Sequence, residues 1–204
     1  MNEIAPPPKA PGPRPIATTQ AAEGLPRFKW SLEQFEQLIE HGILTEQDRV
    51  ELIGGELVPM APKGIRHENV RDELQDWMVR RLPADARLSF ELGWRPGGDI
   101  YLESDILISR RTSRAPAIPA GDVLLLIEVA RTSLDYDQGA KSNVYAALGV
   151  REYWVVDAVT LSTRVFREPS AEGYGAWRDV PPAETLVPHL VPELAVSLGG
   201  LGIG

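Results

Sequence analysis

The run Val123-Leu124-Leu125-Leu126-Ile127-Glu128-Val129-Ala130 constrains the fold more than any other part of the chain. It is far shorter than the roughly 20 apolar residues that cross a bilayer. A near-continuous apolar run of this length reads instead as a central strand covered on both faces. One residue breaks it. Glu128 stands where an unpaired charge is costly to bury. Either the strand reaches the surface there, or a structural arginine pairs with the carboxylate, or the charge belongs to a functional site.

Elements read from periodicity surround this strand. Ser31 and Gln34 form a capping-box pattern, and Leu32, Phe35, Leu38 and Ile39 follow at helical spacing until Gly42. Residues 49–53 and 56–58 flank Gly54-Gly55, which supplies the positive φ angles of a tight hairpin. From His67 to Arg81, the residues Val70, Leu74, Trp77 and Met78 share one helical face, and Pro83 follows the helix. Ala86, Leu88, Phe90, Leu92 and Trp94 alternate with less apolar residues, the period of a half-buried strand. A short strand is expected at Ser104–Ser109, then a basic loop from Arg110 to Pro119, then the central strand. A helix follows over Leu134–Leu148, with Gly149 as its stop, and a strand over Glu152–Asp157. Strand-like pieces at Ser162–Arg167 and Trp177–Val180 extend the sheet.

The resulting expectation is an α/β fold with a mixed sheet (α+β in character). Its αβββαβ core runs from His67 to Asp157, with an added N-terminal helix and β-hairpin and added C-terminal strands. Residues 1–23 hold prolines 6, 7, 8, 11, 13 and 15 and almost no large apolar side chains, so a disordered proline-rich tail is expected there. Residues 24–204 are expected to form a single domain.

Composition narrows the chemistry. The chain has no cysteine, which excludes disulfides, thiolate zinc sites and thiol nucleophiles. Any metal must be held by oxygen or histidine, and His41 and His189 stand apart from the other candidates. The net charge of −8 argues against sequence-blind attraction of a polyanion, so binding of nucleic acid would be local or metal-assisted. Neither a phosphate-binding GxxxxGK[ST] loop nor a GxSxG elbow occurs. With no apolar span and no secretory signal pattern at Met1-Asn2-Glu3-Ile4, the expectation is a cytoplasmic protein with no membrane association.

Asp105 pairs naturally with Glu128. It precedes Ile106-Leu107-Ile108 at the expected start of the neighbouring strand, where aspartate also serves as an ordinary turn residue. Together, two carboxylates on successive strands could converge on one hard divalent cation such as Mg²⁺. Lys141 lies on the following helix, with Asp137 and Tyr145 one turn to either side on its face. Taken alone, it reads as an ordinary exposed helix lysine.

Several stretches then act in concert: Glu51-Leu52-Ile53-Gly54-Gly55-Glu56-Leu57, His67 at a helix start, Ser104-Asp105-Ile106, Ile127-Glu128-Val129, and Asp135-Tyr136-Asp137 through Lys141, Tyr145 and Gly149-Val150-Arg151-Glu152-Tyr153-Trp154-Val155-Val156-Asp157. Over roughly residues 28–168 they resemble the putative restriction endonuclease family of bacteria, a branch of the PD-(D/E)XK nuclease superfamily. The resemblance implies a restriction-endonuclease-like fold and a metal-dependent phosphodiesterase, an endonuclease with DNA as substrate. It implies Asp105 and Glu128 as ligands of Mg²⁺ or Mn²⁺, with the Val129 carbonyl as a third. It implies Lys141 as the lysine that orients or activates the attacking water, since Ala130 occupies the usual lysine position. His67 and Glu51 take auxiliary roles in this scheme, and Glu56 also matches the pattern.

Two departures stand out: Ser104 replaces the proline before the aspartate, and Ala130-Arg131-Thr132-Ser133 replaces a serine- and proline-containing turn. A homodimer is expected if both strands of a duplex are cut, since that needs two sites related by symmetry. The competing expectation is a catalytically inactive nuclease-fold protein that binds or assembles. A further one is an interaction module acting through the proline-rich N-terminus.

Overall fold

Strand β5 (Val123–Ala130) is buried along its whole length, as its apolar run requires. It lies between an antiparallel neighbour, β4 (Ile100–Arg110), and a parallel one, β6 (Glu152–Asp157). The computed structural model describes residues 27–45 and 47–203, and the proline-rich segment 1–23 lies outside them. Helix α1 (Leu32–Glu40) opens the described chain, and its expected capping box is present: the Ser31 hydroxyl accepts from the Gln34 N–H, and the Gln34 side chain accepts from the Ser31 N–H. Strands β1 (Val50–Ile53) and β2 (Glu56–Pro59) form the hairpin, with Gly54 and Gly55 at φ 57° and 82°. Helix α2 (Ile65–Val79), β3 (Ala86–Trp94), β4, β5, a composite helix and β6 then follow, which is the αβββαβ order. Strands β7 (Thr163–Ser170) and β8 (Gly173–Val180) close the sheet as an antiparallel hairpin.

Within the described residues the sheet has eight strands, ordered β2-β1-β4-β5-β6-β7-β8, with β3 paired to β4 off that path. Among the described residues, only β5 and β6 pair in parallel, and the composite helix makes the crossover between them, as a parallel connection demands. Two cores result. One joins Val70, Leu74 and Met78 of α2 to Ile106, Ile108, Leu125, Ile127 and Trp154. The other joins Val144 and Tyr145 of the composite helix to Leu107, Leu126, Tyr153 and Val155. On β5, period-two alternation puts Glu128 in phase with Leu126 and Ala130, on the face that the composite helix covers.

Three expectations need correction. The alternating residues of β3 do not share one face: Leu88 and Phe90 pack with the α2 core, while Leu92 and Trp94 pack with the other. The turnover falls at Glu91, whose left-handed φ of 44° interrupts the pairing opposite Asp105. Strand β4 begins at Ile100 rather than Ser104, so Asp105 lies in mid-strand and is no strand-entry turn. The polar residues Glu103 and Ser104 broke the apolar pattern because they sit beside a cluster of buried carboxylates. The helix expected over 134–148 is composite: α3 (Leu134–Tyr136), a π-helical turn (Asp137–Lys141) and α4 (Ser142–Leu148). Gly149 ends it at φ 87°, the left-handed cap that favours glycine.

Glu152 shows how the C-terminal segment is fastened. Its carboxylate is buried and accepts from Trp154 Nε1 at 2.8 Å, Arg167 Nη2 at 2.8 Å and the His189 N–H at 2.7 Å. Three donors from three parts of the chain lose their acceptor if it is removed. Glu152→Ala is expected to destabilise the protein by about 1–3 kcal/mol, because it leaves the buried Trp154 indole N–H and a backbone N–H without their acceptor, while the partly exposed Arg167 turns to solvent. Chemical denaturation checks the value, and a loss near zero would mean that solvent replaces those contacts.

Candidate active site

The site begins with a break in a hydrogen-bond ladder. Strand β5 pairs with β4 from Ile106 onward, and β1 pairs with β4 only at Ile100 and Tyr101, so neither strand reaches residues 102–105. Buried backbone groups need partners, and here carboxylates supply them. Glu51 Oε1 accepts the Glu103 N–H at 2.8 Å, and Glu128 Oε2 accepts the Asp105 N–H at 3.3 Å. On β5, the Val129 N–H donates to Asp105 Oδ2 at 2.8 Å. Asp105 and Glu128 thus meet across the point where β4 and β5 part.

Lys141 joins two of these carboxylates. Its Nζ lies 2.9 Å from Glu128 Oε1 and 3.1 Å from Glu51 Oε1, and it donates to the Glu103 carbonyl at 3.4 Å. The two carboxylate contacts are ion pairs, and the one to the Glu103 carbonyl is a hydrogen bond. The Tyr145 hydroxyl also donates to Glu128 Oε1, at 2.7 Å. The composite helix therefore turns Asp137, Lys141 and Tyr145 inward together, and all three are buried. The π turn carries the first two, a distortion often found at functional sites. Of the alternatives for Glu128, the strand does not reach the surface, and a lysine rather than an arginine answers the charge. Lys141 is not an exposed helix lysine, and Glu51 is not a solvated hairpin glutamate.

Asp105 has a different set of partners. His67 Nε2 lies 2.9 Å from Oδ2, and Lys63 Nζ lies 3.1 Å from Oδ1. Lys63 also reaches Glu91 Oε1 at 2.7 Å and Glu103 Oε1 at 3.3 Å, so three carboxylates share one ammonium. The second nitrogen of His67 lies 3.4 Å from Glu68 Oε1 but without hydrogen-bond geometry, and it is buried and unpartnered. Glu56, across the hairpin, pairs with Lys29 at 2.6 Å, away from this cluster.

The protonation balance follows from burial and charge. Burial pushes the Glu128 carboxyl up to about 8, with Lys141 opposing and Asp105, Asp137 and Glu51 reinforcing the rise. Asp137 is likewise pushed up to about 6 by burial, against Lys141 and the Ser133 hydroxyl, which donates to it at 2.6 Å. Asp105 goes the other way: burial alone would raise it, but the hydrogen bond and charge of His67, the charge of Lys63 and the Val129 N–H hold it well below the usual range. Burial works against the charge on Lys141 too, yet Glu128, Glu51 and Asp137 keep it protonated. The cluster has more carboxylates than cations.

The cluster lines a cavity of about 50 Å³, bordered by Arg49, Lys63, His67, Arg131, Tyr136 and Asp137 as well as by the carboxylates. That is room for more than one water molecule or for a hydrated cation. The Tyr136 hydroxyl is buried and has no hydrogen-bond partner. Lys63, Asp137 and Tyr136 escaped assignment from sequence. Lys63 follows Pro62 in what reads as an ordinary loop, and nothing in its spacing ties it to Asp105. Asp137 and Tyr136 carried a weak signal, one turn before Lys141 on the same helix.

Among the described residues, no group of three or more histidine, aspartate or glutamate side chains is arranged to hold a metal ion. Two carboxylates suffice for Mg²⁺, which keeps several waters, and the donor set here is hard oxygen with uncompensated negative charge. The residues fit such an ion. No helix among the described residues is long and apolar enough to cross a membrane.

A family model described as Uma2, putative restriction endonuclease, matches residues 32–199. No curated protein matches the chain. Among solved structures, a crystal structure described as a putative nuclease belonging to DUF820, from Anabaena variabilis, superposes with a TM-score of 0.65 at 18% identity. The match covers 84% of this chain and 96% of that one, and it shows a shared fold.

The raised carboxyl of Glu128 has a consequence for stability. A group whose folded value lies above its unfolded one favours folding at low pH, and this is lost as pH rises from near its ordinary value of 4.5 to about 8. Glu128→Gln removes the charge while retaining an acceptor for the Asp105 N–H. Its melting temperature is expected to exceed that of the parent at about pH 8.5 by a few degrees, with the gain vanishing near about pH 5. Calorimetry across that range decides; a loss of stability that does not vary with pH would mean that Lys141 fully compensates the charge.

Proposed function

The chain belongs to the Uma2 family of putative restriction endonucleases, and we propose that it is a divalent-metal-dependent endonuclease hydrolysing phosphodiester bonds in DNA. One observation carries the reading: Asp105 and Glu128 face each other where β4 and β5 diverge, each fixed by backbone and side-chain contacts, in a cavity short of positive charge. Asp105, Glu128 and the Val129 carbonyl would hold Mg²⁺ or Mn²⁺. The ion, when bound, polarises the phosphoryl oxygen and lowers the pKa of a water.

The chain's own residues then divide the work. His67 and the Val129 N–H hold Asp105 by Oδ2, which leaves Oδ1 to face Lys63 alone. Lys141 and Tyr145 fix Glu128 by Oε1. Lys141 aids the attacking water while still paired with Glu128, and it orients that carboxylate. Glu51 anchors the other side of Lys141. Lys63, whose side chain is more exposed than that of Lys141, supplies positive charge toward a phosphate and must share Asp105 with the metal.

That last contact also favours a second reading. Lysines already neutralise Asp105 and Glu128 in part, as in a protein that keeps the nuclease fold for binding or assembly without turnover.

Two measurements separate the readings. Purified protein with Mg²⁺ is expected to cut labelled DNA, and Glu128→Ala is expected to lower the rate by at least about a hundredfold. Equal cleavage by both proteins would remove the site. Independently of turnover, Mg²⁺ at about 100 times its Kd is expected to stabilise the fold by about 2.7 kcal/mol. The shift is expected to disappear in the Asp105→Asn, Glu128→Gln double variant. If neither Mg²⁺ nor Mn²⁺ moves the melting temperature and no cleavage occurs, the inactive binding protein is the better description.

A further inference from the structure

Beside the carboxylate cavity lies a second, larger opening of about 500 Å³, between α1, the segment that follows it and the β3–β4 pair. The two share a wall formed by Arg49, Met60 and Glu103. Its volume falls in the range of roughly 300–1,000 Å³ typical of small-molecule sites. Its lining includes Phe35 and Tyr101, with ring centroids 5.0 Å apart, and the Arg95 guanidinium 4.9 Å over the Tyr101 ring. Ile39, one turn beyond Phe35 on α1, and Leu44 add aliphatic surface. A lining of aromatic, guanidinium and aliphatic groups suits a planar heterocycle.

Arg49, on the shared wall, makes the connection to the reaction. It adopts a left-handed φ of 44°, uncommon for a residue with a β-carbon. Its Nε is buried with no hydrogen-bond partner, and its Nη2 lies 3.5 Å from Glu103 Oε1, a long contact. A strained backbone that holds a guanidinium with an unused donor between two cavities is what a phosphate linking two subsites would need. Lys63 already occupies Glu91 and Glu103, the acidic residues of that region.

We propose that this cleft receives one unstacked base of the substrate strand, next to the scissile phosphate, with Arg49 gripping the phosphate between base and cleavage site. The proposal rests on the nuclease reading and makes the protein a reader of unpaired or flipped-out nucleotides. It also explains how a chain of net charge −8 engages a polyanion, through one local pocket rather than a basic surface.

The test uses the whole chain and two probes: a fluorescent single-stranded oligonucleotide bound in Ca²⁺, and thymidine 3′,5′-bisphosphate followed by calorimetry. Ile39→Trp fills the cleft from a partly exposed helix position, and Leu44→Trp fills it independently should the first variant fold poorly. Either is expected to weaken both probes by about tenfold or more, as is Arg49→Gln, with the melting temperature of the filled variants unchanged. Glu128→Gln is expected to lose cleavage and to keep binding of the bisphosphate within about threefold. An abasic residue placed next to the scissile bond is expected to weaken binding to the parent protein and to make no difference to Ile39→Trp. Folded cleft-filling variants that bind both probes like the parent overturn the subsite, even if Glu128→Gln abolishes cleavage. If the parent cuts no nucleic acid but binds the bisphosphate in a cleft-dependent way, the subsite stands and the nuclease reading fails.

Discussion

Between the pairing that ends at Tyr101 and the pairing that starts at Ile106, β4 carries buried N–H groups that only side chains satisfy. Glu51 and Glu128 supply the acceptors, and that requirement draws in the rest of the site. Two carboxylates brought inside to bond backbone N–H groups need a counter-ion. Lys141 provides one charge between them, and it comes from the composite helix because period-two alternation on β5 aims Glu128 at that helix. Asp105 bonds the Val129 N–H in the same gap and recruits His67 and Lys63. Structural necessity and the proposed chemistry therefore coincide: Asp105 and Glu128, which help to repair the ladder, are the groups proposed to hold a cation.

The framework was legible in the sequence because it rests on local chemistry. Gly54-Gly55, the capping box at Ser31 and Gln34, the cap at Gly149 and the unbroken apolar run of β5 each encode their element within a few residues. Glu128 was legible as an anomaly, since a charge inside such a run has few bland explanations. The features that escaped depend on long-range geometry. The hydrophobic alternation of β3 is regular, yet a single left-handed residue, Glu91, sends its two halves to different cores. The start of β4 was hidden because Glu103 and Ser104 look like a turn unless the carboxylates around them are known. Lys63 is separated from Asp105 by α2 and β3, so no spacing rule reaches it. Lys141 drew its assignment from family resemblance. The structure adds that it pairs with Glu51 as well as with Glu128, which no sequence pattern reveals.

The π turn links the fold to the site. A regular helix advances its faces by a fixed angle, whereas one wider turn between Asp137 and Lys141 alters the phase between the residues before it and those after it. The helix can thus pack Val144 and Tyr145 into the core while it points Lys141 and Asp137 into the cavity. Tyr153 from β6 donates to the Asp137 carbonyl at 3.1 Å, so the distorted segment is held by the sheet that it crosses. The departure at Ala130-Arg131-Thr132-Ser133 is compatible with this arrangement, because Ser133 donates to the Asp137 carboxylate and holds it at the start of the turn.

The balance of charge decides what such a cluster favours. Glu51, Glu91, Glu103, Asp105, Glu128 and Asp137 stand around Lys63, Lys141 and His67, with Arg49 and Arg131 at the rim. Burial raises the carboxyls of Glu128 and Asp137, and the neighbouring carboxylates add to the rise. Without a further cation the cluster takes up protons; the proposed divalent cation would keep the same carboxylates ionised and would compete with Lys63 for Asp105. The same deficit tells against a purely structural origin. A ladder gap closed only for stability would be served as well by neutral acceptors, asparagine or glutamine, which fill backbone hydrogen bonds without the cost of buried charge. The chain instead keeps an ionisable carboxylate at Glu128, where burial disfavours the charge and a cation from outside the chain would restore it.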